Sequence, residues 1–279
     1  MSPEKRPRQG ASQGLRIDLK LHIIKRGDMN KLLVASEYTD PCFHIHDVKW
    51  HLRHEAELGN ECGLLLITKE PSCALPIIEE ADEHGFPVMV HATITGLGRT
   101  PLEPNVIAYG TAIVRLANLV YGYKPERVIL RVDPIIPDVT DYKIVREIVS
   151  SASKLGITRC RVSVIDYYPF VRKKMQDAGY PVCPSFQAPR EVIQEHLQRM
   201  YDLCEKYEMT LELCAERFEG ALHRGCACSH DWADLGLKLP LAESRQRKEC
   251  FCNITKYDLL KGKGCRHGCL YCYWGKYRC

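Results

Sequence analysis

The chain has 279 residues, 45% of them hydrophobic and 27% charged, which is an ordinary composition for a soluble globular enzyme. A formal net charge of +4 does not by itself indicate a nucleic-acid partner. The chain lacks a run of about eighteen apolar residues, so a helical membrane span is excluded.

Residues 1–30 read as a flexible basic tail and lead-in, and Met1 to Arg16 are rich in Pro, Gly, Ser and Gln. No apolar leader core is present there, so a cytoplasmic location is expected. In a reducing compartment, fifteen cysteines in a chain of this length point to metal rather than disulfides.

Between residues 31 and 217, short apolar runs alternate with segments of helical period. The predicted strands are Leu32 to Ser36, Gly63 to Thr68, Val88 to Ile94, Val128 to Val132, Cys160 to Ile165 and Thr210 to Cys214. Val145, Ile148, Val149 and Ala152 mark one amphipathic helix, and Ile193, Leu197, Met200 and Cys204 mark another. Nearly continuous apolar strands between helices predict a parallel sheet covered by helices. Six such units predict an α/β fold of the partial (β/α)6, TIM-like barrel type, with a doubly wound sheet as the alternative.

Catalytic groups of such barrels gather where the strands end. Here the strands run in order into Thr39 and Asp40, Lys69, Thr95, Asp133, Asp166 and Glu216. Any one of these is explained by chain solvation at a strand end, but six together outline a site. Residues 218–279 form a Cys-rich extension with eight of the fifteen cysteines and no strand pattern.

Within it, Cys265, Cys269 and Cys272 have the spacing CxxxCxxC. Three thiolates on one loop can hold three irons of a 4Fe-4S cluster and leave the fourth open to a ligand. The competing reading is a structural zinc closed by His267, Cys279 or Cys252. A second set, Cys226 with Cys228 and Cys250 with Cys252, supplies four thiolates for another iron-sulfur cluster or a zinc ion. Cys160, Cys204 and Cys214 lie on apolar faces and read as core packing. His44, His46 and Asp47 read as a solvated loop.

The CxxxCxxC spacing is similar to that of radical S-adenosylmethionine (SAM) enzymes, in which the open iron is chelated by SAM and an electron from the cluster cleaves it. Tyr271 stands where those enzymes place an aromatic residue near the adenine. Further segments are similar in order to the family called domain of unknown function 1848. They are Thr68 to Pro71, Thr93 to Gly96, Leu102 to Asn105, Arg131 to Pro134, Ser163 to Tyr167, Cys214 to Glu216, and Gln246-Arg247 leading to Cys250 and the cysteine loop. The chain departs from that family's pattern at Glu37, Tyr38 and Ile67.

The resemblance implies a radical-SAM-like barrel whose cluster loop comes last in the chain. It implies SAM as a cofactor and a reducing electron donor of flavodoxin or ferredoxin type. Tyr271, Thr39, Asp40 and Thr95 would line the cofactor. Lys69, Arg131, Asp133, Asp166 and Glu216 would bind SAM or an unassigned substrate. The alternative is a non-catalytic metalloprotein in which Tyr271, Tyr273, Trp274 and Tyr277, interleaved with Lys276 and Arg278, stack on nucleic-acid bases.

Overall fold

A computed structural model describes residues 30–36, 38–242 and 250–274. The expected basic tail before Asn30, Glu37, the Gln246-Arg247 pair, and Lys276, Tyr277, Arg278 and Cys279 lie outside the described residues.

All six predicted strands form, with ends within a few residues of the sequence reading: β1 (Lys31–Ala35), β2 (Cys62–Thr68), β3 (Val88–Thr93), β4 (Val128–Ile135), β5 (Arg159–Val164) and β6 (Thr210–Leu213). Two more were not anticipated, β7 (Leu222–His223) and β8 (Lys256–Asp258). They correct the expectation that the segment after Arg217 lacks strands. Two or three residues are too few to show an alternation, and such strands form because an existing sheet edge offers unpaired backbone groups.

The sheet is a single parallel one with strand order β7-β6-β5-β4-β3-β2-β1-β8. Its helices are α1 (Ile45–Glu57), α2 (Leu75–Glu83), α3 (Tyr109–Gly122), α4 (Tyr142–Lys154), α5 (Pro169–Asp177), α6 (Arg190–Lys206) and α7 (Ser229–Ala233). From β1 to β6 every crossover steps to the next position. Right-handed crossovers that always step the same way put their helices on one face.

The packing follows that rule. Leu33, Leu64, Leu66, Val90, Leu130, Val162 and Leu211 pack with Leu52 of α1, Ile77 of α2, Leu116 of α3, Ile148 of α4 and Met200 of α6. The alternate strand residues Leu32, Val34, Leu65, Met89 and Ile129 face the other way. They pack on Ala227, Trp232, Leu237, Cys250, Cys252 and Ile254. The cysteine-rich segment is therefore the second cover that a strand buried on both sides requires. Gly63 of β2 makes room for it, since a Cβ there would stand 2.5 Å from the Trp232 ring.

Below the strand ends, this inner face carries buried charge. Arg161 is fully buried, and its Nη2 donates to Glu212 at 2.6 Å and to Asp231 of α7 at 3.2 Å. Arg159 donates to the same two carboxylates. Two guanidinium forks on two carboxylates satisfy one another's donors and acceptors, which a lone buried charge could not do.

Among the described residues no helix is long and apolar enough to cross a membrane.

Candidate metal centre

The loop that carries Cys265, Cys269 and Cys272 lies across the C-terminal ends of β1, β2 and β3. Backbone bonds hold it: Leu270 N–H to the Leu102 carbonyl at 3.0 Å, and Asn105 N–H to the His267 carbonyl at 3.2 Å. Side chains add to them, with Asn105 Nδ2 donating to the Arg266 carbonyl at 2.9 Å and Thr39 Oγ1 to the Gly264 carbonyl at 2.9 Å. His44 reaches the same Gly264 carbonyl at 3.3 Å, and Asp47 pairs with Lys263 at 3.1 Å. Those two residues thus brace the loop, while His46 is exposed. Beneath it, Cys269 and Tyr271 pack with Leu97, Leu102, Ile136 and, from α5, Val171 and Met175.

Asp40, at the end of β1, is buried and accepts four hydrogen bonds. Its donors are the Lys69 N–H (2.6 Å), Thr68 Oγ1 (2.7 Å), His267 Nε2 (2.8 Å) and the Cys42 N–H (3.0 Å). Burial alone would raise its pKa, but these donors, His267 foremost, outweigh burial and hold it below the ordinary carboxylate value. One ligand atom from each of Asp40, Cys42 and His267 lies within 4.8 Å of the others. With its Nε2 proton on Asp40, His267 keeps a buried Nδ1 that has no hydrogen-bond partner. A histidine whose far nitrogen is oriented by a carboxylate is a familiar metal-ligand arrangement.

The second strand end is a charged triad. Lys69 Nζ donates to Glu103 at 2.8 Å and to the Tyr271 hydroxyl at 3.0 Å, and that hydroxyl donates to the same Glu103 oxygen. Burial would lower the pKa of Lys69, yet Glu103 and the nearby Cys269 reverse this and raise it. Burial would likewise raise Glu103, and Lys69 brings it below its ordinary value with help from Tyr271 and Thr95. Burial and then Glu103 push Tyr271 well above the usual phenol range. The Cys269 thiol is pushed up to about 12, first by burial, with Lys69 opposing and Glu103, Cys272 and Cys265 adding.

Thr39, Asp40, Lys69, Thr95, Tyr271 and the cysteine loop are thus brought together at the ends of β1 to β3. Residues from the later strands have their own neighbours. Arg131 pairs with Asp133, which accepts from Ser163 Oγ. Asp166 accepts from Gln187 Nε2 at 2.9 Å, and Glu216 from the Val164 N–H at 2.8 Å. Tyr271 is buried, so it offers no surface for stacking on bases, whereas Tyr273 is half exposed beside Trp274.

The reading of the sequence did not select Glu103 or Cys42 for this site, and it named His267 only as a ligand that could close a structural zinc with the loop cysteines. Glu103 had a signal in the Leu-Glu-Pro-Asn segment, an acidic group in an apolar loop. His267 had one in its place between two of the cysteines. Cys42 had none.

The second cysteine set assembles differently from the expectation. Cys226 Sγ and Cys252 Sγ stand 3.3 Å apart, the Cys252 N–H donates to Cys250 Sγ at 3.4 Å, and Cys214 lies beside Cys226. Cys214 is buried, as expected, and also borders this set. Cys228 instead caps α7, and its thiol meets His230 Nδ1 at 3.4 Å.

No curated protein matches the chain. The model of the family described as Domain of unknown function (DUF1848) matches residues 50–274, from within α1 through the whole cysteine loop. Over that span the chain belongs to the DUF1848 family.

Proposed function

We propose that this chain is a radical-SAM-type iron-sulfur protein whose sheet curls into a partial, TIM-like barrel. The observation that carries the reading is the docking of the CxxxCxxC loop on the polar strand ends, with Tyr271 locked between Lys69 and Glu103. A one-directional strand order with helices on one face supports the curl. Cys265, Cys269 and Cys272 supply three sulfurs from one loop, so the donor set fits three irons of a 4Fe-4S cluster with a fourth left open.

Bound there with SAM, the cluster would supply one electron for reductive cleavage of a carbon–sulfur bond of the sulfonium. The chain's own groups do the rest. Thr39, Asp40, Thr95 and Tyr271 would line the cofactor. Lys69 offers a buried cation to a carboxylate, and Arg131, Asp133, Asp166 and Glu216 lie along the later strand ends for the substrate. A cytoplasmic setting with a flavodoxin- or ferredoxin-type donor would keep the cysteines reduced.

A second reading is a non-catalytic zinc protein, favoured by the closeness of Asp40, Cys42 and His267. Anaerobic purification with elemental analysis separates the two. The radical reading expects iron and sulfide, a reduced-cluster electron paramagnetic resonance signal that changes when SAM is added, and 5'-deoxyadenosine release with dithionite. Cys269→Ser should abolish the SAM-dependent change in the signal and the 5'-deoxyadenosine, and lower the iron and sulfide content by this cluster's share. Zinc without iron would overturn it.

A further inference from the structure

We infer that Cys214, Cys226, Cys250 and Cys252 form a second metal centre, a tetrathiolate clamp that joins the two edges of the sheet across its inner face. This does not rest on the radical reading, because it uses none of the residues of the cysteine loop.

The argument starts from topology. Cys214 directly follows β6 and Cys226 follows β7, so both belong to one edge of the sheet. Cys250 and Cys252 precede β8, which forms the other edge beside β1. The two edge strands are not paired with each other, yet the Cys226 and Cys252 sulfurs are 3.3 Å apart. The two arms therefore meet through sulfur across a seam whose edge strands share no ladder.

Both arms are built for the approach. Gly225 lets the backbones touch, since a Cβ there would be 2.2 Å from the Cys252 nitrogen. Asn253 N–H donates to the Ala227 carbonyl at 3.1 Å, and Asn253 Oδ1 accepts from the Ser229 N–H at 2.8 Å. Cys214, Cys250 and Cys252 are buried, at 5%, 2% and 4% exposure. Arg131 and Lys256 supply positive potential at Cys226, which offsets the negative charge that thiolates would place in this interior.

Metal chemistry follows from the donor set. Four thiolates with no oxygen or nitrogen select zinc or iron over harder cations. A tetrahedral ion with bonds of about 2.3 Å holds its sulfurs roughly 3.8 Å apart; the Cys226–Cys252 pair at 3.3 Å is already within that reach, and binding would draw in Cys214 from beside Cys226 and Cys250 from beside Cys252. Four protein ligands leave no open position, so the centre is structural. It would stabilise the sheet by closing the loop between β6 and β8.

The test uses the full chain with Cys265→Ser, Cys269→Ser and Cys272→Ser together, purified anaerobically and assayed for zinc and iron. The expected result is about one metal centre per chain, lost on adding Cys214→Ala or Cys252→Ala and retained on adding Cys228→Ala. Zinc with a featureless visible spectrum identifies the single ion, and iron with thiolate charge-transfer bands identifies a cluster. A chain that loses its metal with Cys228→Ala but not with Cys214→Ala overturns the assignment.

The unaltered protein gives a check independent of variant folding. Alkylation followed by peptide mass spectrometry should modify Cys214, Cys226, Cys250 and Cys252 at least tenfold faster once a chelator is added. Equal rates with and without chelator, or recovery of a Cys226–Cys252 disulfide, would overturn the clamp.

Discussion

Removing one charge of the Lys69–Glu103 pair should cost far more than removing both. The Glu103 side chain is 1% exposed and that of Lys69 15%, so each depends on the other for its charge. Glu103→Leu leaves a buried ammonium, and breaking such a pair costs about 3–5 kcal/mol. The cost has a ceiling, because Lys69 can shed its proton. Lowering its pKa from the reference 10.5 to a neutral pH of about 7 corresponds to roughly 4.8 kcal/mol. Lys69→Met should be similarly destabilising, since it strands the carboxylate with only the Tyr271 and Thr95 hydroxyls. The double variant should recover most of the loss, giving a coupling of about 3 kcal/mol in a urea-unfolding double-mutant cycle. Additive single effects, each under about 1 kcal/mol, would refute the view that this strand end is a dry, charge-balanced site.

Other expectations follow from the same packing. Gly225→Ala should be destabilised by about 1–3 kcal/mol or more, because the obstacle is backbone rather than a movable side chain, and thermal melts will read it. Leu116→Ala on α3 should cost about 2–5 kcal/mol, while Val114→Ala on the same helix, at an exposed position, should change unfolding by no more than about 0.5 kcal/mol. Arg53 foremost, with Lys49, holds Glu80 down to about 2, against a reference value of 4.5. A depressed carboxylate contributes stability in full above the unfolded value and loses it as the pH falls through the folded one. Unfolding free energy compared between the parent and Glu80→Gln should therefore converge as the pH drops from about 5 to about 2. A difference that stays constant over that range would show that Glu80 does not titrate this way.

The sheet from β1 to β6 was legible because its strands are apolar on both faces, a pattern that only a doubly covered parallel sheet produces. What lies on the second face was not. Trp232 and the cysteine arms have no periodic signature, and their partner surface exists only after the strands have paired. Cys214 reads as core because it follows an apolar strand, and it is buried. Yet a period of two puts it on the side of Glu212, opposite Leu211 and Leu213, which pack on the helices. Cys228, two residues from Cys226, shared the right spacing on paper, but the chain turns into α7 there. At the candidate site, spacing singled out the thiols and the strand ends singled out Asp40 and Lys69, which the fold brings near one another. Glu103, and the pairing of His267 with Asp40, were hidden because they depend on loops that meet only in three dimensions.

The place of β8 bears on how the chain is made. β1 pairs on one side with β2 and on the other with Lys256–Asp258, a strand made after all the others among the described residues. A ribosome therefore releases nearly the whole sheet with the outer edge of its first strand bare, and that edge is a template for pairing with another nascent chain. The cysteine loop lies just beyond β8, so the segment that closes the edge and the one that would receive the metal emerge together. Closure of this edge and loading of a metal would then be neighbouring events in synthesis. Growth conditions short of metal would then be expected to leave aggregated protein rather than a soluble apo form.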